Sequence, residues 1–206
     1  MTGNKKDSPT KDKTKIVSFE SPEEWERWLE LNHDTSNGIW MRFLKIGDPV
    51  RGKKSIKKAF THDEALDVAL CYGWIDGQLK PYDEKSWLQK FTPRRAKSIW
   101  SKRNADHVIR LIKLGRMKPA GLKQVEESKA DGRWEKAYDS PGEMTIPDDF
   151  LKGLSKNKKA KAFFETLNRA NIYSIAWRLQ TAQRPEMREK RMKTILEMLA
   201  RGEKFH

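Results

Sequence analysis

From Glu64 to Asn104 the chain reads EALDVALCYGWIDGQLKPYDEKSWLQKFTPRRAKSIWSKRN, and this run leaves little freedom for the fold around it. It begins inside a helix. Thr61-His62-Asp63-Glu64 is a capping box, in which the Thr61 hydroxyl accepts from the Glu64 amide and the Glu64 carboxylate reaches back. Ala65, Leu66, Val68, Ala69 and Leu70 then fall on the inward side of one helix. Gly73 is placed to end it, because glycine takes the left-handed conformation of a C-cap without a Cβ clash. Trp74-Ile75-Asp76 and Ser86–Thr92 read as two strands about a turn at Pro81-Tyr82-Asp83. Pro93 stops the second strand, since it has no N–H for the ladder.

The flanking sequence fits the same mixed pattern. Val17 and Phe19 suit a short strand, and Ser21-Pro22-Glu23-Glu24 is a second capping box with proline at the first helical position. Trp25, Trp28, Leu29 and Leu31 follow at mostly helical spacing. After the Asn37-Gly38 turn, Ile39–Leu44 is a short aromatic segment that suits a strand. From Ser98 onward the pattern is helical. Ser101 caps a helix closed by Gly115, Pro119 opens one closed by Gly132, and Pro147 opens a short one. Lys156–Leu167, Ile172–Ala182 and Pro185–Ala200 carry three further apolar faces. The expected class is α+β: N-terminal helices with a small, mostly antiparallel sheet, followed by a helical C-terminal half. The turn at Asp139-Ser140-Pro141-Gly142 divides an α+β portion, residues 16–140, from a helical portion, residues 141–206.

Only 36% of the residues are hydrophobic, but eight Trp and eight Phe supply large areas for burial. The formal net charge of +14 attracts polyanions, anionic headgroups or acidic partners. The single cysteine, Cys71, excludes an intrachain disulfide and suits a reducing, cytoplasmic setting. No segment approaches the length of a transmembrane helix. The first 15 residues, MTGNKKDSPTKDKTK, have no apolar stretch and are expected to form a disordered basic tail. No metal-ligand spacing joins His33, His62, His107 or His206 to Cys71, and no phosphate loop or nucleophile elbow occurs, so neither metal nor cofactor is expected.

The candidate ligand site gathers Trp74, Asp76, Arg94, Arg95, Ser98, Trp100 and Asn104. A strand-borne Asp76 near Arg94 or Arg95 can orient a guanidinium fork toward an anion. Trp74 and Trp100 can stack on a flat group, with Ser98 and Asn104 adding hydrogen bonds. The competing reading is structural: Asp76 satisfies the turn, Arg94 pairs with it, and both Trp rings are core. Cys71 reads as an inert buried thiol, since the nearby helix C-terminus disfavours a thiolate. Three basic clusters, at 51–58, 94–103 and 184–193, offer nucleic-acid binding as an alternative, weighed against plain solvated charge. An enzyme of unassigned class, using Asp76 or a tyrosine as proton carrier, is a third reading.

The succession EALDVALCYGWIDG, FTPRRAKSIWSKRN, LGRMKPAGL and DGRWEKAY, then a proline-initiated helix, resembles the bacteriocin-protection family known as YdeI or OmpD-associated proteins. The resemblance runs from Phe19 to Ala200, with the 47–58 loop and the lysine-rich tail as additions. It implies an α+β first portion, a helical second portion, and a role in resistance to bacteriocins or antimicrobial peptides. Such a role would rest on an anionic or aromatic small ligand or on a partner. The resemblance carries no catalytic residues with it.

Overall fold

The computed structural model describes residues 14–45, 60–140 and 142–204. The basic loop at 47–58 and all but the last two residues of the expected tail lie outside these residues. Within them the fold is α+β. The order is β1 (Ile16–Val17), α1 (Pro22–Asn32), β2 (Ile39–Leu44), α2 (His62–Cys71), β3 (Trp74–Pro81) and β4 (Ser86–Pro93). Then follow α3 (Lys102–Lys113), α4 (Pro119–Ala130), α5 (Asp148–Ser155), α6 (Lys158–Phe164), α7 (Arg169–Gln180) and α8 (Pro185–Ala200).

The strands all lie in the N-terminal half, interspersed with α1 and α2, and β4 follows β3 directly. β1, although two residues long, pairs parallel with Trp40 and Met41 of β2, so α1 is the crossover between two neighbouring strands. The sheet order is β1-β2-β4-β3, and both remaining pairings are antiparallel. Phe19 falls outside β1 and packs instead on Trp25, ring centroids 5.1 Å apart. β3 also runs further than expected, to Pro81, with an irregular register between Asp76 and Leu79.

Local signals in the sequence are realised as side-chain caps. Both arms of the Thr61–Glu64 box are present. Ser21 accepts from the Glu24 amide, but Glu24 reaches back one residue further, to the amide of Glu20 at 2.9 Å. Ser101 accepts from Asn104 N at 3.2 Å and starts α3. Gly73 has φ +73 and closes α2, and a Cβ there would sit 2.9 Å from the Ala120 carbonyl oxygen.

The chain forms two compact units. The first comprises residues 1–96 and 108–127, and the second 97–107 and 128–206. In the first, hereafter the sheet unit, Trp25, Trp28, Trp74 and Phe91 form one aromatic cluster beside the sheet. Its buried indoles are satisfied: Trp25 Nε1 donates to Ala65 O and Trp74 Nε1 to His33 O, each at 3.0 Å. The second, the helical unit, buries aliphatic side chains, among them Leu154, Ile175, Leu179, Ile195 and Leu199, around Phe150. Two of its helices start on asparagine caps, Asn157 and Asn168.

Candidate ligand-binding site

The expected site residues do not all belong to one unit. Trp74, Asp76, Arg94 and Arg95 lie in the sheet unit, and Ser98, Trp100 and Asn104 in the helical unit. Trp74 and Trp100 are each 1% exposed, so their rings stand in the core and present no open face for stacking. Arg94 is buried too, and its amide extends the ladder by donating to Gly73 O at 3.0 Å. Arg95 is exposed. Ser98 gives its carbonyl to Arg133, and its buried hydroxyl has no hydrogen-bond partner among the described residues. Asn104 contributes its amide to the Ser101 cap.

Asp76 has a partner that periodicity did not suggest. The first turn of α2 brings His62 Nε2 within 3.1 Å of Asp76 Oδ2, while His62 Nδ1 stands 3.6 Å from Asp63. The ring lies about 6 Å from those of Phe43, Trp87 and Phe91. Capping had identified the helix start but not which way this imidazole turns. A carboxylate on one ring nitrogen fixes the ring's orientation. Both partners keep partial solvent access, with side chains 21% and 26% exposed.

Cys71, by contrast, is closed off. Burial raises its thiol to about pH 11 in pKa, so it is a neutral S–H at physiological pH. Its carbonyl accepts from Lys118 N at 3.1 Å. A Cβ on Gly121 would lie 2.3 Å from the same oxygen, so α4 meets the end of α2 backbone to backbone.

The helical unit holds concave surface of two opposite characters. One cavity of about 550 Å³ carries four carboxylates, Asp106, Glu135, Asp139 and Glu143, against Lys102. Lys102 Nζ binds Asp139 at 2.5 Å, and this contact holds the Asp139 carboxyl below its usual range. Gln180 clamps Asp139 further, giving Nε2 to its carboxylate and accepting its amide. The second region consists of two adjoining hollows, about 340 and 440 Å³, that share Ile99, Thr181 and Gln183. Their charged lining is five cations, Lys97, Arg133, Lys136, Arg184 and Arg191, and one carboxylate, Asp131. Tyr138 and Trp177 supply flat surface and pack edge to face at 6.2 Å.

Sequence reasoning did not assemble this groove. Its components sit in DGRWEKAY, in the residues beside Ser98, in the end of α7 and the residues after it, and in the basic 184–193 cluster. The available signal was aromatic residues next to arginines in two separate segments. No group of three His, Cys, Asp or Glu that could hold a metal occurs among the described residues, and no helix there is long and apolar enough to cross a membrane.

The fold and these surfaces define a two-unit α+β protein whose sheet unit carries the aromatic core and whose helical unit carries the cationic groove. The chain belongs to the family described as Domain of unknown function (DUF8412), whose model matches residues 17–124. Residues 143–202 match the model described as Bacteriocin-protection, YdeI or OmpD-Associated. The resemblance expected along the chain from Phe19 to Ala200 is therefore found over α5 to α8, while the CYGWIDG segment falls under the other description. No curated protein and no solved structure matches the chain.

Proposed function

We propose that this chain protects cells against bacteriocins or antimicrobial peptides by binding an anionic or aromatic small ligand, or a partner. The observation that carries the reading is the family match over residues 143–202. The formal charge of +14 supports an anionic ligand. In the sheet unit, the groups of the expected site that retain solvent access are Asp76, held by His62, and Arg95; they are the proposed contacts there. In the helical unit, Ser98 holds Arg133 through its carbonyl and Trp100 packs on Trp134, so these two act as supports for lining residues, and Asn104 belongs to the α3 cap.

The test is survival of cells with and without the chain under a panel of bacteriocins and cationic peptides. The expected outcome is higher survival when the chain is present, reduced by Asp76→Asn or Arg95→Ala at unchanged protein level. Equal survival with and without the chain rejects the protective role. Full protection by both variants removes Asp76 and Arg95 from it.

A further inference from the structure

The groove of the helical unit is electrostatically incomplete. Arg191 Nη1 donates to the Arg178 carbonyl at 2.7 Å and reaches Thr181 Oγ1 at 3.4 Å. These acceptors are neutral, so they fix the guanidinium without cancelling its charge. Arg184 and Lys136 make no ion pair among the described residues. Arg133 is held differently: its Nε contacts both Asp131 oxygens, at 2.8 and 2.7 Å, and its Nη1 donates to Ser98 O at 2.8 Å. The sole carboxylate of the lining is thus already taken by Arg133, which also holds its carboxyl below the usual range. Arg184 and Arg191 in one hollow, and Lys136 in the adjoining one, remain as positive charge on either side of the shared Ile99, Thr181 and Gln183.

The same surface has an apolar floor. Trp177 and Tyr138 are half-buried, and Ile99, Ala182 and Met187 line the hollows beside them. Each hollow falls within the volume range of small-molecule sites, about 300–1,000 Å³. Concentrated positive charge that includes planar guanidinium groups suits a multiply charged oxyanion. A flat aromatic wall next to it suits a planar ring. The acidic cavity of the same unit provides an internal contrast: its four carboxylates repel such a ligand.

We propose that the groove between Tyr138, Trp177, Arg184 and Arg191 binds an organic phosphate that carries a planar ring, the chemistry of a nucleoside diphosphate. The phosphates sit against Arg184, Lys136 and Arg191, and the ring lies along Trp177. This proposal rests on the ligand-binding reading above and gives that ligand a chemical class and a place.

The experiment uses the full chain. ADP, adenosine, inorganic phosphate and a random single-stranded oligonucleotide are titrated calorimetrically, and the Trp177 indole signal, assigned with Trp177→Phe, is followed by NMR. ADP is expected to bind more tightly than adenosine or phosphate and to shift the Trp177 signal. Arg184→Ala with Lys136→Ala, both exposed side chains, is expected to weaken ADP binding by about tenfold or more, given the usual strength of charge-assisted hydrogen bonds. Lys152→Ala with Lys158→Ala, away from the groove, serves as the control and leaves binding unchanged.

Absence of ADP binding, binding as weak as that of phosphate alone, or equal binding by the Arg184/Lys136 double variant overturns the proposal. Oligonucleotide binding that ADP does not displace, and that the double variant abolishes, also overturns it in favour of a nucleic-acid surface. The cell assay separates the two readings. A double variant that loses ADP binding yet protects fully keeps the groove and removes it from protection. A chain that protects without binding ADP rejects the groove and leaves protection to another ligand or a partner.

Discussion

The sheet unit and the helical unit handle polar groups near aromatics in opposite ways. In the sheet unit most such groups are paired internally: two buried indoles donate to main-chain carbonyls, and Asp76 holds His62 while keeping partial solvent access, which leaves Arg95 as the exposed group. In the helical unit Arg191 is anchored on neutral oxygens, and Arg184 and Lys136 line adjoining hollows without ion pairs among the described residues. The comparison teaches that density of Trp, Asp and Arg in a sequence marks where a core is built. Charge left over after internal pairing marks where a ligand has something to gain.

The contrast can be broken most severely at the aromatic cluster. Trp25 is fully buried and touches Phe19, Trp28, Trp74 and Phe91. Trp25→Ala is expected to cost about 3–5 kcal/mol through lost burial and a residual cavity. Hydrogen exchange should show protection falling in β2 and β4 more than in α7 and α8; uniform loss throughout would mean that the two units open together. A smaller effect is expected at Gly121. Its missing Cβ makes room for the Cys71 carbonyl, and backbone cannot step aside as a side chain can. Gly121→Ala should therefore cost about 1–3 kcal/mol, the usual range for overpacking, read as a lower midpoint in urea with little change in slope.

The smallest effect concerns pH and belongs to the helical unit. Contacts from Lys102 and Arg188 depress the carboxyls of Asp139 and Asp149. A carboxyl with a depressed folded pKa adds stability that is present above its unfolded pKa and lost as pH falls through the folded one. Both pairs are partly exposed, so the change should be modest. Melting followed from pH 6 to pH 2 should fall below the ordinary carboxylate range, about pH 4. Asp139→Asn should flatten part of that fall, and an unchanged pH profile would show that the Lys102 contact contributes nothing.

Much of the fold was legible because its signals are local. The Ser21, Thr61 and Ser101 caps, the Gly73 and Gly115 terminators and the Pro93 stop each act within a few residues, and each lies at an element end. The parallel pairing of β1 with β2 was not legible, because two residues carry no periodicity and the partner is distant in sequence. The compact units are likewise discontinuous, each built from two stretches of chain. The site was least legible. His62 and Asp76 are 14 positions apart, at the start of α2 and in β3, and only the packing of that helix on that strand joins them. The groove joins segments near 99, 133, 181 and 191, whose closeness depends on tertiary packing alone.

Cys71 gives the sheet unit a built-in clock. A lone thiol that is 2% exposed and protonated at neutral pH cannot meet an aqueous alkylating reagent while the surrounding structure is closed. The rate at which it is modified therefore counts openings of the α2 end. Because the chain has one cysteine, mass spectrometry of the intact protein reads that count without any engineered label. A ligand that holds the sheet unit shut would slow the clock, and one that acts elsewhere would leave it running at its own pace.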